Sequence, residues 1–227
     1  MNSALEGIPG LLRSRASHKQ SVFAASKRQF RLFKDTSAAL ARWMQADQAG
    51  GDDRVVIAHE ELNAYAFTLQ FGGDLLYAQQ HTNVFTLDQK SRLWNKAYVQ
   101  EDRSRAYFGV FYFYNFLADS FTYQRSSDAG VLLARVFINA EGFFFIEGLP
   151  QFKRPLQDFQ YQHFNREERK RLMGLLVQAA IAYDLTAPPL KEVWLASVGD
   201  IQAQRSESLM RTGKKLGYKT QRDLGEE

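Results

Sequence analysis

The chain has 227 residues and 45% hydrophobic content, long enough to bury a core and too apolar to be globally disordered. It has no cysteine, which removes disulfides, thiolate nucleophiles, zinc–thiolate sites and iron–sulfur clusters together. The formal charge of +4 hides two basic arms: Arg13, Arg15, Lys19, Lys27, Arg28, Arg31, Lys34 and Arg42 face only Asp35 between Leu11 and Met44, and Arg205, Arg211, Lys214, Lys215, Lys219 and Arg222 face only Glu207 between Ala203 and Arg222.

Between the arms, Gly51–Asp200 holds 15 basic and 18 acidic residues, a near-neutral body. Clustered cations of this kind select anionic partners. No run approaches the ~20 apolar residues of a membrane span. Ile8–Leu12 is too short for the apolar core of a signal peptide, and Arg13 and Arg15 follow it rather than precede it. A cytoplasmic protein is expected.

In chain order, residues 1–16 are expected as a flexible segment, 17–202 as a single α+β domain and 203–227 as a basic tail. Ser17-x-x-Gln20 reads as a capping box opening a long helix over 17–47. Phe23, Ser26, Phe30, Phe33, Ser37, Leu40 and Met44 recur at alternating spacings of three and four, one stripe of that helix. At ~100° per residue, Lys27, Arg28, Arg31, Lys34 and Arg42 share the flank beside the stripe. Gly50-Gly51 is expected to end it.

The region 55–148 predicts an antiparallel sheet of about five strands in meander order. Asn63–Phe71 alternates apolar and polar residues; after a Gly72-Gly73-Asp74 turn, Leu75–Phe85 returns as its partner. Leu93–Val99 fits either a short helix or a loop. Arg105–Phe116 is aromatic on both faces and reads as a central strand, with Gly109 marking a bulge or a close backbone approach. Val131–Ile138 and Phe143–Glu147 form a hairpin whose loop, with Gly142 left-handed, places Arg135 opposite Glu147.

Asn165-x-x-Glu168 caps a second helix over 165–186, apolar on nearly all sides and so expected to be buried. Ala187-Pro188-Pro189 stops it, and Val193–Val198 is a candidate edge strand. Both helices are expected on one face of the sheet.

Phosphate-loop, dinucleotide-binding, serine-nucleophile and zinc-protease motifs are absent from the sequence, and its four histidines show no helical ligand spacing, so neither metal nor cofactor is expected. Three groups remain. His81-Thr82-Asn83, with Trp94 and Tyr98 following, suits a pocket in which a ligand stacks on aromatics; the plainer account is a solvated strand face. Glu101, Asp102 and Arg105, with Asn115, Asp119, Arg125 and Asp128, offer carboxylate bases and cations, though such runs are more often turns with surface ion pairs. Arg135 could grip an anion in a bidentate fork, but pairing with Glu147 is the expected role.

The motifs single out no family. The leading expectation is a non-enzymatic binding or regulatory protein. Its anion contacts come from Lys27, Arg28, Arg31 and Lys34 on the helix and Lys214 and Lys215 on the tail; its partner is nucleic acid or an acidic protein. A homo-oligomer is compatible with the same arm. The competing expectation is an enzyme acting on a phosphorylated or nucleic-acid substrate through the acids of Glu101–Asp128.

Overall fold

Proline in a first helical turn gives up an N–H that the turn would leave unpaired, and Pro9 opens the helix Ile8–Leu11 in this way, upstream of Ser17. The computed structural model describes residues 5, 7–48, 50–125, 128–152 and 154–183. The expected strand Val193–Val198 and the basic tail, Lys214 and Lys215 included, lie outside them. Helix Ile8–Leu11 passes through one π turn, Leu12–Ala16, into the long helix α1, Ser17–Asp47. The capping box at Ser17 is therefore not used: Ala16 and Ser17 are already helical and no side chain caps the junction. Gly50, with φ of 92°, lies in the turn just beyond the helix.

The strands are β1 (Ile57–Asn63), β2 (Ala66–Phe71), β3 (Asp74–Gln80), β4 (Phe85–Thr86), β5 (Tyr107–Leu117), β6 (Val131–Ile138) and β7 (Phe144–Gly148). They pair antiparallel in the order β1-β2-β3-β5-β6-β7, with β4 on β5. The meander is as expected, with more strands than five. The strand expected over Asn63–Phe71 begins at Ala66, because Asn63 ends β1 and turns the chain. The return strand stops at Gln80, where His81 Nδ1 accepts from Asn83 N at 2.9 Å and forms a turn before β4.

Edge strand β1 carries His59, Glu60 and Glu61 where an apolar alternation would be expected, and polar contacts hold it to α1. Ser37 Oγ meets His59 Nδ1 at 3.1 Å, and Gln45 Nε2 donates to the Ile57 carbonyl at 2.8 Å. Inside this contact His59 Nε2 is buried without a partner. Burial pushes its imidazole below the usual histidine range; Glu61 opposes the shift, and Lys34 and Arg42 add to it.

α1 and the second long helix, α2 (Arg166–Ile181), cover one sheet face. Phe30 and Phe33 of α1 are fully buried against Phe67, Phe111 and Phe113, with ring centroids 5.0–6.2 Å apart. Ser26 lies so close over Gly109 that a Cβ there would come within 2.3 Å of Ser26 Cβ, the close approach that a glycine inside β5 signals. Asn165 Oδ1 caps α2 by accepting from Glu168 N at 3.0 Å. Leu172 and Leu176 are fully buried and Leu175 half-buried in the same core.

β5 is aromatic on both sides because a second core occupies part of the opposite face. Phe108, Phe137, Phe145 and Phe159 pack there with Leu93 and Val99 from the short helical turns Arg92–Asn95 and Ala97–Glu101.

Two measurements check this packing. Leu176→Ala should cost about 2–5 kcal/mol in chemical denaturation through lost burial and a cavity. A group whose folded pKa is depressed contributes stability above its unfolded pKa and loses it as pH falls towards the folded one. For His59 that loss begins near the ordinary histidine value of ~6.5. The melting temperature should therefore drop between about pH 7.5 and pH 5, and drop less in His59→Gln.

Candidate anion-binding surface

Once Ser26, Phe30, Phe33 and Ser37 point at the sheet, the 3.6-residue repeat decides what the rest of α1 can meet. Lys27, Arg28, Arg31 and Arg42 are exposed, as are Arg13, Arg15 and Lys19 towards the N-terminus. Among the described residues none of these seven makes an ion pair. Lys27 Nζ lies 5.3 Å from the ring centre of Tyr65, close enough for a cation–π contact. Six arginines of the body, by contrast, are engaged with carboxylates: Arg54, Arg105, Arg125, Arg135, Arg154 and Arg171.

Lys34 departs from the expected wet flank. Its side chain is only 4% exposed, and its ammonium donates to Glu61 Oε2 at 3.1 Å and to the Asn63 carbonyl at 2.5 Å. The reason is β1: the edge strand lies alongside this side of α1 and covers the position nearest the stripe. Lys34 therefore fastens β1 to α1 and is not available to a ligand.

The residues proposed from sequence to line a pocket are spread over the fold. His81 and Asn83 form the turn after β3, with the imidazole edge-on to Phe85 at 4.7 Å. Trp94 sits in the turn Arg92–Asn95, its indole N–H donating to the Asp88 carbonyl at 3.0 Å. Arg105 donates to Glu101 and Glu141, both at 2.9 Å, and stacks its guanidinium over Tyr98. Asn115 is buried on the helix side of the sheet, where its Nδ2 reaches the Ala180 carbonyl at 3.4 Å and its Oδ1 has no partner. Arg135 and Glu147 are directly opposite across β6 and β7 and paired at 2.5 Å on the other sheet face.

The acids of Glu101–Asp128 are equally dispersed. Glu101 is taken by Arg105, and Asp102 Oδ1 accepts from Ser104 N at 2.8 Å. Asp128 accepts from Ser120 Oγ at 2.7 Å beside Arg125. Among the described residues no three His, Asp or Glu side chains come together as metal ligands would.

Sequence reasoning missed Arg169 of α2. It is only 8% exposed, and its guanidinium donates to Gln29 Oε1 of α1 and to the Phe164 carbonyl. Its position four residues after the N-cap, next to Leu172 and Met173, was the available signal. Comparison of the chain with protein-family models, with curated proteins and with solved structures finds no match.

Two reversals three residues apart on α1 separate structure from surface. Lys34→Glu should destabilise by about 3 kcal/mol, since it puts a carboxylate in a buried position, facing Glu61 and the Asn63 carbonyl. Arg31→Glu should stay within about 0.5 kcal/mol of the parent. Denaturant midpoints of the two variants check both.

Proposed function

We propose that this is a non-enzymatic binding protein that docks the cationic flank of α1 on a polyanion, with nucleic acid as the partner. The observation that carries the reading is the contrast in pairing: apart from Lys34, the cations of α1 are exposed and, among the described residues, without carboxylate partners, while most arginines of the body are matched. Solubilising surfaces mix both signs. An exposed, predominantly cationic row, with Asp35 as its acid, held rigid on a helix, suits a partner that supplies regularly spaced negative charge.

Lys214 and Lys215 join this proposal on sequence grounds, as a second cationic segment on the same chain. A cytoplasmic location fits a nucleic-acid partner. Local engagement of Glu101, Asp102 and Asp128, with no gathered set of metal-ligating side chains among the described residues, favours binding over the competing enzyme reading, because a base and metal ligands must meet the substrate together.

The test is a titration against duplex DNA, RNA and heparin at several salt concentrations. If Lys27, Arg28, Arg31 and Arg42 all neutralise duplex phosphates, log K should fall with log salt at a slope of about −3 to −4. Arg28→Glu with Arg31→Glu should weaken binding and make the slope shallower by about 2, with the melting temperature unchanged. Equal binding by parent and double variant on all three polyanions at low salt would overturn the reading. Loss of self-association in the double variant, without any effect on nucleic acid, would instead assign the flank to contacts between copies of the chain.

A further inference from the structure

A large cavity lies away from the outer flank, beneath the N-terminal overhang of α1. It is a cleft of about 1210 Å³, walled on one side by Ser14, Arg15 and His18 and on the other by the segment from Thr86 to Tyr107. Ligand pockets run to roughly 300–1,000 Å³, so there is room for a small molecule and its water. Ser14 and Arg15 belong to the π turn, a feature common at functional sites because it costs a regular hydrogen-bonding step.

The lining is charged and polar around a fixed aromatic. Arg15 and Arg103 enter from opposite walls, and neither is paired among the described residues. His18 Nε2 meets the Ser104 carbonyl at 2.8 Å. A carbonyl only accepts, so Nε2 carries the proton; Nδ1 has no partner among the described residues. Trp94 has its N–H committed to Asp88, which pins the ring and leaves its π surface as what it can offer a ligand. Asp102 is exposed, and its carboxylate, which accepts from Ser104 N at Oδ1 and from the Ser104 side chain, keeps further acceptor capacity. The hydrogen bonds to Ser104 hold this carboxyl below its usual range, with burial opposing and His18 and Arg105 adding to the shift, so it remains an acceptor at neutral pH.

Two guanidiniums suit phosphate, a pinned indole suits a planar base, and a carboxylate oxygen suits a sugar hydroxyl. We propose that this cleft is a binding site for a nucleoside 5′-phosphate, with Arg15 and Arg103 on the phosphate, Trp94 stacked on the base and Asp102 accepting from the ribose. The single acid offsets one of the two arginine charges, which leaves the cleft suited to a ligand of low negative charge over a polyphosphate. The same chemistry is presented by a free nucleotide and by the 5′-phosphorylated end of a single strand. The site does not depend on the flank of α1.

Calorimetric titration of the full chain with the four ribonucleoside 5′-monophosphates tests the assignment, alongside inorganic phosphate, ribose 5-phosphate and adenosine. At least one monophosphate should bind saturably, and each fragment at least tenfold more weakly than that nucleotide. Arg103→Ala and Trp94→Leu should each reduce affinity tenfold or more while circular dichroism and melting stay close to the parent. Arg28→Glu with Arg31→Glu should leave nucleotide affinity unchanged, so failure of the flank reading and failure of this one are read separately. Tighter binding of the free nucleotide supports a metabolite site, and tighter binding of a 5′-phosphorylated single strand over its 5′-hydroxyl form supports a strand-end site. No saturable binding of any of these probes at millimolar concentration, or binding indifferent to both Arg103→Ala and Trp94→Leu, would overturn the proposal.

Discussion

The seat of α1 on β5 is the contact on which the remaining geometry depends. Ser26 can lie against β5 only because residue 109 has no Cβ. That approach brings Phe30 and Phe33 into van der Waals range of Phe67, Phe111 and Phe113, all fully buried. It also sets the rotation of the helix about its own axis. With ~100° between successive residues, a fixed inward stripe leaves no choice for the outward side. Lys27, Arg28, Arg31 and Arg42 face water as a consequence of how Phe30 and Phe33 pack. Gln80 secures the same point, donating to Ser26 Oγ at 3.0 Å from within the sheet.

The opposite face of the sheet is organised by a polar clasp. Tyr98 donates its hydroxyl to Glu141 at 2.8 Å and accepts from Asn139 Nδ2 at 2.9 Å, while Arg105 bonds both Glu141 and the Tyr98 carbonyl. Burial, reinforced by Glu141, pushes the Tyr98 hydroxyl far above the ordinary tyrosine range, so it stays a neutral donor. These bonds tie the segment of short turns before β5 to the β6–β7 loop. The same segment carries Trp94, Arg103 and Ser104, so the clasp positions one wall of the cleft without entering it. Arg105, which sequence reasoning placed in a ligand pocket, belongs to this support.

Where burial follows a simple period, the fold was legible. The stripe on α1, the alternation in β2, the two-sided aromatics of β5 and the Asn165 cap each correspond to one dominant local interaction. Arg135 opposite Glu147 followed from the loop length and a left-handed Gly142, whose φ is 85°. β1 was not legible because its inward residues are Ile57, His59 and Glu61, which contact α1 through hydrogen bonds and an ion pair. Lys34 was misplaced for the same reason: a helix flank stays wet only if no strand lies beside it, and the strand beside it had no apolar signature. The cleft was legible only in part. Trp94 and Asp102 were singled out, but Arg15 and His18 meet them through tertiary packing across more than seventy residues of chain, a proximity that no local pattern carries.

The two cationic features of the long helical arm are physically separable. Arg15 and Arg28 are thirteen residues apart, about 20 Å along the axis at ~1.5 Å per residue. At physiological ionic strength the screening length is about 8 Å, so charge at one position is little felt at the other. They also face different surroundings. Arg28 stands on the outward side over bulk water, whereas Arg15, though exposed, lines a cleft. A partner on the flank therefore meets a strongly salt-dependent, orientation-tolerant surface. A ligand in the cleft meets fixed groups: an indole pinned by Asp88, a carboxylate pinned by Ser104 and an imidazole held by the same residue's carbonyl. Loose electrostatics on the outside and preorganised polar groups beneath follow from one helix that outruns the sheet it packs on.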